Sequence, residues 1–445
     1  MRPMAAQLAA VESGSPIRVA GRVESMGGLT VNTVGLALPV GSMCKLTSST
    51  GQTSIAEVIG FHRERAILMP LGESSSIAPG DTVENVMSAP LVQCSAQLLG
   101  RVIDGLGQPI DDKGALPLGE PRRIDSRGTP PLARPPIREP ISTGIRAVDA
   151  LLTCGLGQRM AIFSGPGIGK STLVSSIARS SSADVCVVAL VGERGREVQE
   201  FLDKGLGAAG MCRCVVVVST SEQSPLLCVR AAKVAATVAE YFRDQGKNVL
   251  LVVDSLTRLC HAQRQIGLAA HEPPATRGYP PSVFAMLPRI LERAGTSATG
   301  SITAFYSVLV EGDEFSEPIA DAVRGVADGH LWLSRALATK GHFPAIDVQH
   351  SISRVRESIV SDRQLQMARR VLGLLSVYDD IKDLVAVGAY VPGVNLEYDL
   401  AVQSRDKILE FLQQDVSSHF TLEQSLNDLR ALCVGIEQLE QKLRK

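Results

Sequence analysis

Five short apolar segments constrain the fold of this chain more than any other feature. Each has the length of a β-strand and lacks the alternation of polar and apolar residues that a half-exposed strand shows. The segments are QRMAIFSG, DVCVVALVG, RCVVVVST, NVLLVVDS and SITAFYSVLV. A strand that is apolar on both sides must be covered on both faces, which is typical of a parallel sheet between layers of helices. The region from about residue 141 to 365 is therefore predicted to be an α/β domain.

The segment 226–245, between two of these strands, has the pattern of an amphipathic helix. Apolar side chains recur at helical spacing along one face, and charged or polar side chains occupy the other. The two sets are Leu227, Ala231, Val234, Val238 and Tyr241, and Arg230, Lys233, Thr237, Glu240 and Asp244. We expect the apolar stripe to pack on the sheet and the polar face to meet water.

Composition divides the chain into three regions. Residues 17 to about 90 alternate short β-branched runs with glycine turns, which predicts a small β-barrel or sandwich. Prolines crowd residues 108–140 and exclude regular helix or central strand there, so an ordered linker wrapped onto the next domain is expected. After about residue 370 helical periodicity replaces the strands. We predict a β-barrel domain over residues 1–92, an α/β domain over 93–368 and a C-terminal helical domain over 369–445.

The last predicted helix carries an apolar seam whose residues repeat at intervals of three and four. They are Leu422, Leu426, Leu429, Cys433, Ile436, Leu439 and Leu443. This seam would pack on its own domain or dock a partner helix, and the sequence leaves both interpretations open.

Overall composition excludes several classes of protein. The 445 residues are 45% hydrophobic and 20% charged with a net charge of -1, which argues against disorder and against a uniformly basic nucleic-acid-binding surface. No apolar run reaches the roughly 18 residues that cross a bilayer, and the first 14 residues lack the apolar core of a cleaved export signal. The nine cysteines form no C-x-x-C pair. We expect buried, reduced thiols, which are typical of cytoplasm.

The segment FSGPGIGKSTL lies between a predicted strand and a predicted helix and has the features of a phosphate-binding loop. It matches G-x-x-x-x-G-K-[ST] except that Ser164 replaces the first glycine. Three glycines allow the backbone N–H groups to surround an anion at the helix N-terminus. Lys170 is expected to contact the β- and γ-phosphates of a nucleotide, and Ser171 to ligate Mg²⁺. The other loop positions assigned to nucleotide binding are Ser164, Gly165, Pro166, Gly167, Ile168, Gly169 and Thr172.

Two carboxylates are expected at the same edge of the sheet, because carboxyl ends of parallel strands meet there. Asp254 ends the run NVLLVVD and would hold the Mg²⁺ shell, a role compatible with capping the next helix. Glu193 follows DVCVVALVG and would orient a water for attack on the γ-phosphate. Its neighbour Arg194 would reach the phosphate oxygens. A surface charge cluster is the alternative interpretation of Glu193 and Arg194.

Longer motifs resemble one family in the same order along the chain. They are SGPGIGKST, VGERGREVQEF, LVVDSLTRL, EPPATRGYPPSVFAMLPRILERAG, GSITAFYSVLVEGDEFSEPIADAVRGVADGHLWLSR and GHFPAIDVQHSISRV. The family is that of the flagellar and type III secretion export ATPases, relatives of the catalytic subunit of rotary ATP synthases. The similarity is dense over about residues 95–365 and looser at both ends. It implies a RecA-like P-loop NTPase core that uses ATP and Mg²⁺.

The resemblance implies roles for the residues of the expected site. Lys170 and Ser171 match the family's phosphate and Mg²⁺ residues, and Asp254 matches its Mg²⁺-shell aspartate. Glu193 matches the catalytic glutamate, which non-catalytic nucleotide-binding subunits of the rotary relatives lack. Its presence favours turnover over binding alone. Glu197 matches a second acidic position and is assigned to the metal.

Further roles come from the same resemblance. Arg194 and Arg258 match arginines close to the phosphates, and Arg354 in SISRV matches an arginine finger that enters the site of the adjacent subunit. A site shared in this way implies a homohexamer. Phe343 lies where relatives usually have a tyrosine against the adenine, although a core phenylalanine is the alternative. Tyr390 in GAYVPG is a second candidate for that pocket.

The function implied by the resemblance is ATP hydrolysis that energises protein export through a flagellar type III secretion apparatus, by releasing chaperones and unfolding or feeding substrates. Expected partners are stalk and regulator proteins, chaperones and export substrates, with no nucleic acid. The expected location is cytoplasmic and peripheral at the inner-membrane export apparatus. Alternatives are a virulence-type injectisome ATPase, a proton-translocating rotary ATP synthase subunit and a hexameric nucleic-acid translocase.

The segment HEPPATRGYPPSVF is rich in proline and glycine and in the relatives projects into the central pore. On this basis Tyr279 and its neighbours are expected to contact the central stalk or the exported chain.

Overall fold

The computed structural model describes residues 19–72, 76–87, 89–310 and 317–444. The expectation about an export signal concerns residues 1–14 and lies outside this part of the chain, as do the first 18 residues of the predicted barrel domain. Residues 311–316 of the quoted family motifs also lie outside it.

The N-terminal domain is a closed barrel of six antiparallel strands, which confirms the predicted small barrel. The strands are β1 (Ala20–Gly27), β2 (Thr30–Val34), β3 (Met43–Thr47), β4 (Thr53–His62), β5 (Arg65–Pro70) and β6 (Thr82–Met87). Their order around the barrel is β1-β2-β5-β4-β3-β6. Val31, Leu46 and Val58 are among the apolar side chains that fill the interior. Closure leaves no unpaired edge among the six described strands of the barrel.

The proline-rich segment forms short pieces of structure against the neighbouring domain. The pieces around it are β7 (Leu91–Cys94), a 3₁₀ turn (Ala96–Leu98), β8 (Val102–Asp104), β9 (Glu120–Arg123), a second 3₁₀ turn (Pro131–Ala133), β10 (Pro140–Ile141), α1 (Arg146–Leu151) and β11 (Cys154–Gly155). β7 pairs with β9, and β10 pairs with β11. β8 joins the edge of the central sheet, where it pairs with the strand Cys214–Thr220. Its three residues are too short a segment to predict this pairing from sequence.

A nine-stranded sheet is the centre of the molecule. Besides β8 it contains β12 (Arg159–Ser164), β13 (Val185–Glu193), β14 (Cys214–Thr220), β15 (Asn248–Asp254), β16 (Gly295–Thr296), β17 (Ser301–Leu309), β18 (Gly329–Leu333) and β19 (Ile346–Ser353). The order is β19-β18-β12-β17-β15-β13-β14-β8, with β16 on β17, and only β16 and β19 run antiparallel to their neighbours. All five predicted strands are present and parallel, so the predicted α/β core is confirmed.

Helices cover both faces of this sheet. They are α2 (Lys170–Ser180), α3 (Gly195–Glu200), a π-helical turn (Phe201–Leu206), α4 (Gly207–Met211), α5 (Pro225–Asp244), α6 (Leu256–Ala269), a 3₁₀ turn (Thr276–Gly278), α7 (Pro281–Leu291), α8 (Pro318–Val326), α9 (Arg335–Thr339) and α10 (Arg356–Ile359). In β13, Val187 and Ala189 face one apolar core, while Cys186 and Val188 face the other. Burial on both sides explains why the strands lack polar alternation.

The C-terminal domain consists of α11 (Asp362–Ala386), α12 (Leu396–Leu412) and α13 (Leu422–Leu443). The seam of α13 buries Leu429, Cys433 and Ile436 against α1, α11 and α12, so it packs within its own chain. The predicted boundary between residues 368 and 369 falls inside α11. Among the described helices, none combines the length and the apolar character that a membrane crossing requires.

The cysteines follow the prediction with one exception. All nine are unpaired and eight are buried. Cys212 is exposed on the turn after α4, so the expectation of burial is wrong for this residue.

The expectation that the polar face of α5 meets water holds for the exposed Asp244 and is wrong for Arg230, Thr237 and Glu240, which are buried. Arg230 pairs with Glu57 of the barrel at 3.1 Å, and both side chains are largely buried. Glu240 accepts hydrogen bonds from Arg293 at 2.7 and 2.8 Å and from Ser126 of the proline-rich linker at 2.6 Å. The barrel and the linker cover this face, and ion pairs compensate the charges that they bury.

We predict that Arg293→Met destabilises the protein strongly, because it leaves the Glu240 carboxylate buried without its cation. Loss of one partner of a buried pair costs about 3 to 5 kcal/mol. Arg289→Met, four residues earlier on exposed helix surface, is the matched control and should change stability by about 0.5 kcal/mol or less. Urea and thermal unfolding of both variants measure this, and equal midpoints would contradict the assigned role of Arg293.

Candidate active site

The turn between β12 and α2 forms a cradle of backbone N–H groups. Gly167 and Gly169 have φ of 76° and 96°, a left-handed region that other residues rarely adopt. α2 begins at Lys170, and no side chain caps its first N–H groups. The free N–H groups of an eleven-residue helix and its dipole favour an anion at this end.

The other predicted loop residues divide between support and lining. Ser164 is the last residue of β12, paired in register with Leu309, and its buried hydroxyl has no hydrogen-bond partner among the described residues. Gly165 and Ile168 are buried, whereas Gly169 is partly exposed. Pro166, Gly167, Ser171 and Thr172 are exposed on the open side of the loop. Ser164 therefore belongs to the sheet and supports the loop from below.

Three buried charged groups meet beside this loop. Lys170 Nζ hydrogen-bonds to Asp254 Oδ1 and lies 3.9 Å from Glu193 Oε1. Asp254 and Glu193 end β15 and β13, which are adjacent parallel strands. Arg258 Nε, on α6, lies 3.2 Å from Glu193 Oε1. The structure thus brings together the phosphate-loop lysine and the two carboxylates that the sequence placed at this edge.

The pKa of Glu193 is raised to about 7. Burial is the main cause, a hydrogen bond with Glu197 and the charge of Asp254 add to it, and Lys170 and Arg258 oppose it. The same hydrogen bond lowers the pKa of Glu197. A carboxyl group whose pKa lies near neutrality is suited to exchange a proton with water at that pH. Because Glu193 is buried, the surface-cluster interpretation does not apply to it.

Arg194 differs from Glu193 in its surroundings. It precedes α3, its side chain is 71% exposed, and its Nη1 lies 3.6 Å from Glu197 Oε1. The guanidinium is therefore at the mouth of the site, where it is free to turn toward a bound anion.

The donor set fits a magnesium ion that is shared with a substrate. The described residues contain no group of three His, Cys, Asp or Glu side chains that could hold a metal by themselves. Mg²⁺ in nucleotide sites is bound by one or two carboxylates together with substrate phosphates and waters. Asp254 and the exposed hydroxyl of Ser171 provide such a partial set, and Glu197 lies beside Glu193 at its border.

A cavity of about 260 Å³ adjoins the phosphate loop and is lined mainly by apolar atoms. Its walls include Gly169 and Thr172 of the loop and helix, and Phe343. A Cβ atom on Gly169 would lie 3.6 Å from the Phe343 ring, so the ring is directly beside the loop. Phe343 is 43% exposed, which excludes the core interpretation. An aromatic face at this distance from a phosphate site is suited to stack on a nucleobase.

Tyr390 does not line this cavity. Its hydroxyl donates a hydrogen bond to Asp399 within the C-terminal domain, and burial together with that carboxylate raises the pKa of Tyr390 to about 12. The structure therefore does not bring Tyr390 to Phe343.

Another wall of the cavity comes from the segment after α12, at Gln414, Asp415 and Val416. Arg146 of α1 holds this segment, because its guanidinium donates to the carbonyls of Phe411 and Gln413, both at 2.7 Å. It also lies over the rings of Phe411 and Phe420 and pairs with Asp428 at 3.1 Å. Sequence reasoning missed Arg146, because its partners lie more than 260 residues away.

Arg354 lies at the opposite edge of the sheet. β12 and β18 are parallel with Met160 level with Gly329, and Gly329 pairs with Ser353 of antiparallel β19. Arg354 is thus level with the start of β12, whereas the phosphate loop follows the end of β12. The two ends of this six-residue strand are about 20 Å apart. The exposed Arg354 side chain does not reach Lys170 of the same chain.

Two further residues shape the site without having been predicted. Ser307 Oγ donates to Asp254 Oδ1 at 2.5 Å. Gly192 has φ of 69°, and a Cβ atom there would lie 3.1 Å from Arg258 Cβ. The available signals were a hydroxyl near the end of a predicted strand and a glycine directly before Glu193.

The hypothesis for Tyr279 needs correction. Its ring is 5% exposed and packs between His261 and Phe284, with the Arg264 guanidinium 5.5 Å from the ring centre. Burial removes the ring itself from the surface, so any contact by this segment must come from its exposed neighbours.

The loop, the buried acidic pair and the adjoining base-sized cavity define a P-loop nucleotide-binding domain between a β-barrel and a helical domain. Residues 144–353 match the family model for the nucleotide-binding domain of the ATP synthase alpha/beta family, and residues 360–431 match that for the T3SS EscN ATPase C-terminal domain. The chain belongs to the family of flagellar and type III secretion ATPases within this larger group.

Individual relatives match over nearly the whole chain. The flagellum-specific ATP synthase of Bacillus subtilis is 48% identical over 93% of this chain and 94% of its own length. The type 3 secretion system ATPase of Xanthomonas euvesicatoria is 46% identical over 93% of each. The structure of the assembled ATPase EscN from enteropathogenic E. coli superposes with a TM-score of 0.88 at 41% identity, covering 93% of this chain and 99% of that one. These similarities confirm the family and the fold expected from the motifs.

We predict that Phe343→Ala weakens nucleotide binding about 10-fold, since stacking on a base contributes roughly 1 to 3 kcal/mol. The melting temperature should hardly change, because the ring is not in the core. Phe343→Tyr should retain the affinity. Titration with a fluorescent ATP analogue and thermal melting test this; a strong loss of stability with unchanged affinity would restore the core interpretation.

Proposed function

We propose that this chain hydrolyses ATP and that hydrolysis energises protein export through a flagellar type III secretion apparatus. The chain is an ATPase by family. The observation that supports turnover in this chain is the buried Glu193, whose pKa is about 7. Its carboxyl group lies beside Lys170 of the phosphate loop, and Lys170 also contacts Asp254.

The residues divide the chemistry of phosphoryl transfer among them. Backbone N–H groups of the loop and the Lys170 ammonium bind the phosphates, and Glu193 orients the attacking water and accepts its proton. Arg194 and Arg258 would contact the phosphate oxygens, and the Phe343 ring would stack on the adenine. Mg²⁺, held by Ser171 and Asp254 with Glu197 nearby, would neutralise the charge of the phosphates.

The position of Arg354 supports an assembly with shared sites. An arginine finger that lies at the far edge of its own sheet can serve only the site of a neighbour. Head-to-tail contacts of this kind close into rings, and we propose a homohexamer. The relatives are consistent with assembly, since EscN has been solved both as an assembled ATPase and in complex with its central stalk EscO.

The proposed partners follow from the family. They are stalk and regulator proteins, export chaperones and export substrates, and the proposed location is cytoplasmic and peripheral at the inner-membrane export apparatus. Relatives named for flagella and relatives named for type 3 secretion both match. An injectisome role is therefore the second candidate, which the neighbouring genes would distinguish. The match of the C-terminal domain to the type III secretion model favours export over rotary ATP synthesis.

We predict that Glu193→Gln binds ATP but hydrolyses it at least about 100-fold more slowly, because the amide cannot accept the proton of the attacking water. Lys170→Ala should lose both binding and turnover. Glu64→Gln, an exposed position in the turn between β4 and β5 of the barrel, is the matched control and should behave like wild type. Phosphate release and nucleotide titration separate the two steps; substantial hydrolysis by the Gln variant would remove Glu193 from its role.

We predict that Arg354→Ala and Lys170→Ala are each inactive alone and regain part of the activity when mixed. In a mixed ring an intact loop meets an intact finger across one interface, and the finger is worth on the order of 10³ to 10⁵ in rate. Mixing Arg354→Ala with the double variant Lys170→Ala/Arg354→Ala is the control, because that partner supplies no finger. Equal activity of both mixtures, with assembly verified by mass measurement, would rule out a shared site.

A further inference from the structure

We propose that Ser307 is a positioning residue for the Asp254 carboxylate. It holds this carboxylate in the orientation needed to bind Mg²⁺ together with the nucleotide. The inference rests on the proposed ATPase function and extends it to a residue of the strand between the phosphate loop and Asp254.

The contact is short and fully enclosed. Ser307 Oγ lies 2.5 Å from Asp254 Oδ1, and the two residues are 1% and 2% exposed. An ionised carboxylate only accepts hydrogen bonds, so the serine hydroxyl is the donor. Hydrogen bonds from a hydroxyl to a carboxylate are among the shorter and stronger ones in proteins.

The sheet determines where this hydroxyl lies. β17 runs between β12, which leads into the phosphate loop, and β15, which ends at Asp254. Tyr306 is paired with Val253, so the next residues along the two strands, Ser307 and Asp254, are neighbours. On its other side Ser307 is paired with Ile162 of β12. A hydroxyl on a buried central strand has little freedom, which suits it to hold a neighbouring group.

Lys170 and Ser307 contribute differently to the orientation of Asp254. Both contact Oδ1, and among the described residues no hydrogen bond to Oδ2 is formed. Lys170 is a flexible side chain that the reaction requires at the phosphates. Ser307 is fixed in the sheet, so its hydrogen bond to Oδ1 persists when Lys170 turns to a nucleotide. Oδ2 would then be left for a metal and its waters.

The test is the Mg²⁺ dependence of nucleotide binding in Ser307→Ala. Ser301→Ala is the matched control, because Ser301 lies buried on the same strand and donates to Asn248 Oδ1 at 2.9 Å, away from the site. A fluorescent ADP analogue is titrated at fixed concentrations of Mg²⁺ and in excess EDTA. The Mg²⁺ concentration that gives half of the maximal increase in nucleotide affinity should rise about 10-fold or more in Ser307→Ala, as for other residues that orient a metal ligand. Binding in EDTA should stay unchanged.

Ser307→Thr keeps the hydroxyl, so its half-maximal Mg²⁺ concentration should return most of the way to the wild-type value. If Ser307→Ala melts at a much lower temperature, Ser307→Cys replaces it, since a thiol keeps the shape but donates weakly. Equal Mg²⁺ dependence in Ser307→Ala, or in its Cys replacement, and in Ser301→Ala would overturn the proposal. ATP hydrolysis by wild type is measured separately: its absence would reject the proposed function, while the Mg²⁺ titration would still decide the role of Ser307.

Discussion

The pairing of the Lys170 ammonium with two carboxylates is the interaction on which the site depends. All three groups are buried, and a buried charge is costly unless opposite charges or hydrogen bonds compensate it. Compensation is achieved because β12, β13 and β15 are parallel and deliver Lys170, Glu193 and Asp254 to the same edge of one sheet. Burial raises the pKa of Glu193 to about 7 although Lys170 opposes this, and a carboxylate with such a pKa is suited to accept a proton.

The flanking domains are attached to this core by buried polar contacts. Arg230 pairs with Glu57 of the barrel, and Arg293 with Glu240 beneath the proline-rich linker. Arg146 holds the segment after α12, which forms one wall of the cavity beside the phosphate loop. Residues of the C-terminal domain thus line the cavity beside the phosphate loop.

Much of the fold could be predicted because its signals are local. The apolar strands, the glycines of the phosphate loop and the acids at strand ends each depend on a few consecutive residues. The error at the polar face of α5 has a physical cause, since helical periodicity shows which residues are polar but not what covers them. Tyr279 was misplaced for a similar reason: a loop rich in proline and glycine can still bury its aromatic residue.

By itself the sequence determined the class of the central domain, the phosphate loop and the acidic residues that accompany it, because these follow from local spacing and from the rule that parallel strands end at one edge. Only the tertiary structure decided that Phe343 rather than Tyr390 lies at the loop, that Arg354 faces away from its own site, and that Ser307 holds Asp254. Those relations join residues far apart in the chain. Their positions depend on strand order and domain packing, for which short stretches of sequence carry no signal.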